Sequence, residues 1–170
     1  LVCAMQAAGF KTLNLSLGST SEAQLRRFNR PDVRDAFDNV LNLAEKYGLN
    51  AVGYVIVGAP FQSAEDSLSD LIFLAQRRVL SGVSVFYPAP GSKDFDLCSR
   101  LNILPEAFSL MRSSALPLSH FTTRTESITL LRLGRILNFI KHLKDKGVNI
   151  PDTSLNNRRI GYRDDRMETG

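Results

Sequence analysis

The stretch NAVGYVIVGAPFQSAED, residues 50–66, decides the fold because it joins a strand directly to the start of a helix. Residues 50–57 are apolar almost throughout, a composition typical of a parallel strand that is covered on both faces. Gly58 then ends the strand, and Ser63, which has an aspartate three residues later, begins a capping box that predicts a helix over 64–80. Strand, tight turn and helix in this order form one unit of a parallel α/β fold.

Similar units lie on both sides of this stretch. Residues 11–17 alternate leucine with small polar residues, and residues 82–87 form another short apolar run that a proline ends, so both are predicted strands. Helices are predicted over 33–47 and 126–146 from apolar residues at helical spacing. The strand starts recur at close to the interval of about 30 residues found in an eight-stranded (β/α) barrel. Three strands predict an α/β fold that is an incomplete (β/α) partial TIM barrel, and an open doubly wound sheet is the alternative that periodicity leaves open.

The chain divides into three predicted regions. Residues 1–97 contain the βα units, residues 98–150 form a helical accessory region, and residues 151–170 are expected to be a disordered basic tail because apolar residues are scarce there. The opening LVCAMQAAGF is typical of the last turns of a helix that ends at Gly9, rather than of the start of a protein. We therefore expect the chain to be a fragment of a longer protein.

Composition limits the classes of function. The 170 residues are 44% hydrophobic and carry a formal net charge of +4, which suits a globular domain with a core. No apolar run is long enough to cross a bilayer and no signal peptide opens the chain, so no membrane partner is expected. Four arginines in the tail raise nucleic acid as a partner on charge alone, and a solvated tail is the commoner outcome of such a pattern.

The cysteines and histidines show no metal-ligand spacing. Cys3 and Cys98 form no CxxC pair, so no disulfide framework, zinc site or other metal ligand is expected in this chain, and a reducing cytoplasmic location fits this usage. His120 and His142 also lack companions at ligand spacing, and we interpret both as surface or packing residues.

The loops that follow the strands are the candidate site, because ligands of parallel α/β folds bind at the carboxyl ends of strands. Gly58 either lets a flat ligand lie against the backbone or serves a tight turn that needs a positive φ. Arg30 follows the edge formed by Ser16 and Ser19, and its guanidinium either holds a carboxylate or ribose hydroxyl or belongs to a solvated arginine cluster. Gln62 offers hydrogen bonds at a helix start, to an anion or as part of a cap.

Together these edges resemble the carboxyl-terminal half of the core barrel of radical S-adenosylmethionine (radical SAM) enzymes, with the resemblance extending over residues 5–97. AGF before LNLSLGS is similar to the fourth strand of the family, and Ser19, Leu25 and Arg30 in GSTSEAQLRRFNR follow the family's spacing after that strand. Residues 84–96, SVFYPAPGSKDFD, are similar to the sixth strand and its PLPGT continuation.

Residues 54–66 are similar to the fifth-strand motif of the family, an apolar strand followed by Gly-x-Pro-Gly-[Glu/Gln]-[Thr/Ser]-x-Glu-Asp. Phe61 stands where the motif has its second glycine. The positions that agree with the motif are Gly58, Pro60, Gln62, Ser63, Glu65 and Asp66. In the family this edge lines the adenine of S-adenosylmethionine.

The resemblance implies a radical enzyme whose cofactors are S-adenosylmethionine and a 4Fe-4S cluster. In the family a CxxxCxxC loop holds the cluster, and reductive cleavage of S-adenosylmethionine gives a 5′-deoxyadenosyl radical that removes a hydrogen atom from substrate. CxxxCxxC is absent from residues 1–170, so the cluster ligands are expected upstream and this chain alone is expected to be inactive. Arg30 is expected to face the methionine carboxylate or the ribose. The cofactor-binding residues that we predict are Ser16, Ser19, Arg30, Val57, Gly58, Pro60, Gln62 and Tyr87.

The function expected from this resemblance is the binding of S-adenosylmethionine and substrate for radical-based hydrogen abstraction. The alternative is a non-catalytic α/β module that binds a nucleotide or phosphate. The substrate stays open, since family members modify RNA bases, porphyrins, peptides and small metabolites through similar barrels.

Overall fold

A computed structural model describes residues 1–110 and 117–149. The three strands are β1 (Thr12–Gly18), β2 (Asn50–Val57) and β3 (Leu80–Val85). The helices are α1 (Val2–Ala7), α2 (Glu22–Arg27), α3 (Arg34–Lys46), α4 (Ala64–Ala75), α5 (Lys93–Arg100) and α6 (Arg124–Asp145), with a 3-10 turn at Phe108–Leu110. The tail predicted to be disordered, 151–170, lies outside the described residues.

The three strands form one parallel sheet in the order β1-β2-β3, which confirms the predicted α/β fold. Strand β2 spans the predicted residues 50–57, whereas β3 starts and ends earlier than the predicted 82–87. Helix α4 ends at Ala75 instead of residue 80, because the chain turns at Arg77, whose carbonyl accepts a hydrogen bond of 2.9 Å from the Val79 N–H.

The long helices α3, α4 and α6 pack against the same face of the sheet. Sequential parallel strands joined by crossovers of one hand place their connecting helices on one side. Inward-facing residues of each strand meet the apolar stripes of the helices in the main core. That core includes Leu17, Val55, Val57 and Val85 from the strands and Phe37, Leu41, Leu71, Leu74 and Leu130 from the helices.

The opposite face of the sheet is open. Asn14, Ser16, Tyr54 and Ser84 project from it and are exposed, because successive side chains of a strand point to opposite faces. The expectation that β2 is covered on both faces is therefore wrong for the described residues. The prediction rested on the apolar composition of β2, but the apolar Ile56 lies on the open face and is only half-buried.

Helix α6 lies close against the sheet at Gly134. A Cβ at this position would lie 2.4 Å from Cγ2 of Val83, so only glycine allows the observed approach. One turn further on, the side-chain amide of Asn138 accepts a hydrogen bond from the Ser81 N–H at 2.7 Å and donates one to the Ser81 carbonyl at 2.9 Å. Helix α6 thus shares the core of the sheet.

Lys141 fixes the far end of α6 to the turn between α4 and β3. Its ammonium group donates hydrogen bonds to the carbonyls of Leu74, Arg77 and Val79 at 2.6, 2.9 and 2.6 Å. Burial lowers the pKa of Lys141, because desolvation disfavours its charged form. Within residues 1–110 and 117–149, no helix combines the length and apolarity that a membrane span requires.

Candidate functional site

A concave surface of about 400 Å³ lies on the open face of the sheet. It contains hydroxyl, amide, phenol and guanidinium groups beside one aliphatic side chain, a mixture that suits a small ligand with an anionic group. We call this surface the open-face cavity. Its lining residues are Asn14, Ser16, Arg30, Tyr54, Ile56 and Ser84.

Arg30 is the cationic residue of the open-face cavity. A left-handed turn at Asn29 (φ 53°) follows α2 and brings the chain back over β1, where Arg30 Nη1 donates a hydrogen bond of 2.5 Å to the Ser16 hydroxyl. The sheet register shifts between Ser16 and Gly18, and such bulges often lie beside functional sites. Among the described residues the Arg30 guanidinium has no carboxylate partner, which leaves it available to an anion.

Ser19, which was predicted to bind the cofactor, is buried in a hydrogen-bond network. Its hydroxyl donates to Oδ1 of Asp70 on α4 at 3.1 Å, and the same oxygen accepts from the N–H and the hydroxyl of Thr20 at 2.5 and 2.7 Å. Burial raises the pKa of Asp70, with the hydrogen bonds opposing the shift. The network holds the loop after β1 against α4, and sequence analysis missed Asp70 because it interprets α4 from its apolar stripe alone.

The loop from Gly58 to Gln62 adopts two left-handed conformations. Gly58 has φ +73°, and a Cβ there would lie 2.7 Å from the buried Ser127 hydroxyl oxygen, so the tight turn and this close contact both explain the glycine. Phe61 has φ +62°, a conformation that L residues other than Asn and Asp rarely adopt. Its N–H donates a hydrogen bond of 3.1 Å to Nδ1 of His120.

Gln62 is fully buried and braces this loop from within. Its Oε1 accepts from the Ala59 N–H at 3.1 Å, and its Nε2 donates to the Ile56 carbonyl at 2.9 Å. Its own carbonyl accepts a hydrogen bond of 2.7 Å from the Thr122 hydroxyl. Ser63, the next residue, forms the predicted capping box of α4.

The remaining predicted site residues lie behind or beside the strand ends. The Val57 side chain is buried in the core on the helix side of the sheet, and Pro60 is buried within the loop. Tyr87 is half-buried and donates a weak hydrogen bond of 3.4 Å to the Leu110 carbonyl, and burial raises the pKa of its phenol. Of the predicted residues, the structure therefore brings Ser16 and Arg30 together in the open-face cavity.

Four side chains that sequence analysis did not assign to a site meet beside the loop. The rings of His120 and Phe121 are parallel within 8° and 5.0 Å apart, and the Phe61 ring contacts each of them edge-on at 4.8 and 5.6 Å. The Arg27 guanidinium lies 4.4 Å from the centroid of the Phe61 ring. Residues 61 and 120 are 59 positions apart, so local pattern carries no sign of this contact.

The cysteines do not form a site for a 4Fe-4S cluster. Cys3 is exposed on α1, whereas Cys98 is the buried residue of α5, and burial raises the pKa of its thiol to about 11. A thiol with so high a pKa is protonated at neutral pH. Residues 1–110 and 117–149 contain no group of three or more His, Cys, Asp or Glu side chains placed to hold a metal ion.

No known protein-family model matches this chain, and no curated protein shows significant similarity to it.

Proposed function

We propose that this chain is the carboxyl-terminal half of a radical SAM core barrel and binds S-adenosylmethionine at the carboxyl edge of its sheet. The observation that carries the proposal is the Arg30–Ser16 pair in the open-face cavity. A guanidinium held beside a hydroxyl is suited to a carboxylate, since it supplies several N–H donors in fixed directions. The methionine carboxylate of the cofactor is the group that we assign to it.

The one-sided packing of the helices is consistent with this assignment. A doubly wound sheet carries helices on both faces, whereas the strands of a (β/α) barrel carry helices outside and turn their other face inward. Helices α3, α4 and α6 all cover one face, and the other face is open and carries the polar side chains of Asn14, Ser16 and Ser84 beside apolar ones. This arrangement is expected for a segment of a barrel wall and equally for one half of a doubly wound sheet, in which sequential strands also carry their helices on one side.

The conformation of Phe61 also supports the proposal. Phe61 occupies the position at which the fifth-strand motif has its second glycine, and its φ of +62° lies in the region that glycine adopts freely. The backbone at Phe61 thus has a conformation typical of glycine, although the residue carries a phenylalanine side chain. We assign the adenine to the side of this loop at Phe61, the one residue from Gly58 to Gln62 that is partly exposed.

The residues of this chain fit S-adenosylmethionine but do not fit the 4Fe-4S cluster. The open-face cavity has the charge and hydrogen-bond donors for S-adenosylmethionine, which, when bound to a reduced 4Fe-4S cluster, supplies the radical that abstracts hydrogen. Cys3 and Cys98 do not fit the cluster, because they do not approach the required three-cysteine arrangement and Cys98 is buried. The role that we propose for this chain is therefore to bind and orient S-adenosylmethionine.

Binding of S-adenosylmethionine to the chain, measured by isothermal titration calorimetry, tests the proposal. We expect Arg30→Gln to weaken binding about tenfold or more, since a charge-assisted hydrogen bond contributes more than the 1.4 kcal/mol that a factor of ten requires. Arg26→Gln is the matched control, because Arg26 is an exposed arginine of the same segment that pairs with Glu22 at 3.4 Å.

Two outcomes would contradict the proposal. Equal affinities of Arg30→Gln and Arg26→Gln for S-adenosylmethionine would show that Arg30 is not part of the site. Failure of the unsubstituted chain to bind S-adenosylmethionine would show that this cofactor is not its ligand. Arg30-dependent binding of ADP or phosphate without binding of S-adenosylmethionine would instead favour the nucleotide- or phosphate-binding module.

A further inference from the structure

The side chains of Phe61, His120 and Phe121 form an ordered aromatic platform. The parallel rings of His120 and Phe121 make a two-layer stack, and the Phe61 ring lies nearly perpendicular to both of them. Phe121 is 62% exposed, although large apolar side chains are usually buried. A further planar ring is therefore able to continue the stack on Phe121.

Backbone and side-chain hydrogen bonds hold this aromatic platform in place. The Phe61 N–H is bound to His120, the His120 N–H donates to the Thr122 carbonyl at 3.2 Å, and the Thr122 hydroxyl is bound to the Gln62 carbonyl. These bonds tie the segment before α6 to the loop after β2. A platform fixed in this way loses little conformational entropy when it binds a ring, which favours affinity.

A cationic border lies next to the aromatic platform. Arg27 contacts the Phe61 ring through its guanidinium, and Arg30 lies three residues further along the chain at the open-face cavity. In the part of the chain that the structure describes, neither of them pairs with a carboxylate, whereas Arg26 is paired with Glu22. Anionic groups of a ligand would therefore be attracted to the side of Arg27 and Arg30.

We propose that the aromatic platform and Arg27 bind single-stranded nucleic acid, with an unpaired base stacked on Phe121 and a backbone phosphate beside Arg27. Aromatic side chains next to exposed cations are the usual combination for single strands, since every base offers a flat face and every nucleotide a phosphate. Double-stranded nucleic acid fits this surface less well, because its bases are already stacked on one another and unavailable. None of these residues belongs to the arginine-rich tail.

Fluorescence anisotropy of a labelled single-stranded oligoribonucleotide of about ten nucleotides tests the proposal. We expect binding by the full chain that is at least tenfold tighter than binding of a duplex of the same sequence. Phe121→Ala and Phe121→Leu should each weaken it about tenfold, since one lost base–aromatic stack has an effect of this order. Arg27→Gln should weaken binding and lower the slope of log K against log salt by about one.

The matched controls are Phe139→Ala and Arg135→Gln on α6. Phe139 is 61% exposed and lies one helical turn from the exposed Arg135, so the pair has the same chemistry on another surface. Equal effects of the Phe121 and Phe139 substitutions would overturn the proposal, as would equal binding of duplex and single strand. Displacement by heparin in all variants alike would indicate purely electrostatic binding and would also overturn it.

The proposal does not depend on S-adenosylmethionine. If the oligonucleotide binds in a Phe121-dependent way but S-adenosylmethionine does not bind in an Arg30-dependent way, only the proposed function is refuted. The opposite result would refute only the nucleic-acid surface. Thermal unfolding of Phe121→Ala is expected to occur at only a slightly lower temperature than that of the unsubstituted chain, because the ring is mostly exposed and the substitution removes only its contacts with His120 and Phe61.

Discussion

At the scale of single residues, Phe61 combines an unfavourable backbone conformation with several favourable contacts. A left-handed conformation costs an L residue about 1–2 kcal/mol relative to its right-handed alternatives. The hydrogen bond from its N–H to His120 and the edge-on contacts of its ring offset this cost. The stability of the loop after β2 therefore depends on His120, a residue far away in the sequence.

A double-mutant cycle between these residues tests this dependence. We expect His120→Ala to lower the free energy of unfolding by about 1–2 kcal/mol, through one lost hydrogen bond and one lost aromatic contact. The same substitution should cost less in a Phe61→Gly background, because glycine adopts the left-handed conformation without strain and has no ring to pack. Urea denaturation of the four proteins gives the coupling energy.

His120→Asn and His142→Ala are the controls for this cycle. Asparagine keeps an acceptor near the position of Nδ1 and should recover part of the loss, whereas His142 is exposed on α6 and its removal should change stability by less than about 0.5 kcal/mol. Coupling that is indistinguishable from zero would show that His120 does not support the conformation of Phe61.

The candidate site could be predicted in part at this scale. The spacing in the segment after β1 placed Arg30 downstream of the Ser16 edge, and the structure joins the two side chains directly. Ser19 and Gln62 were predicted to meet a ligand, yet their polar groups are used in buried hydrogen bonds with Asp70 and with the backbone of the loop. Polar residue types at a strand end do not reveal whether their partners are ligands or other parts of the chain.

At the scale of secondary structure elements, the end of α4 is set by contacts with other elements. Apolar spacing predicted a helix as far as residue 80, and the helix ends at Ala75. Arg77 is held by Asp38 of α3 at 2.6 and 2.9 Å, and this hydrogen bonding lowers the pKa of Asp38. Lys141 binds the freed carbonyls of the turn. Periodicity describes one element, so it could not reveal an end that two other helices determine.

Lys141→Met tests the contribution of α6 to this turn. The substitution keeps an unbranched apolar chain but removes the donor for three carbonyls, and we expect the free energy of unfolding to fall by about 2–3 kcal/mol. Lys144→Met on the exposed side of the same helix should change it by less than about 0.5 kcal/mol. Chemical denaturation of both variants gives the comparison, and similar losses would mean that the Lys141 hydrogen bonds contribute nothing specific.

At the scale of the whole molecule, the sheet has one covered and one open face. The fold class followed from the alternation of strands and helices, but the sidedness did not, because Val52 and Ile56 make β2 look apolar on both faces. Whether helices lie on one face of the sheet or on both depends on strand order and crossover direction. Neither of these can be predicted from hydrophobic periodicity. The structure resolves the question for the three described strands, whose three long helices α3, α4 and α6 lie on one side.

The same substitution on each face of β2 tests this sidedness. Val55 is fully buried beneath the helices, whereas Val52 points to the open face and is only half-buried. Val55→Thr keeps the shape of the side chain but buries a hydroxyl without a partner, so we expect it to lower the free energy of unfolding by about 1–3 kcal/mol. Val52→Thr should change it by less than about 0.5 kcal/mol, because the new hydroxyl reaches water. Urea denaturation of the two variants measures the difference, and equal losses would mean that the open face is covered in solution.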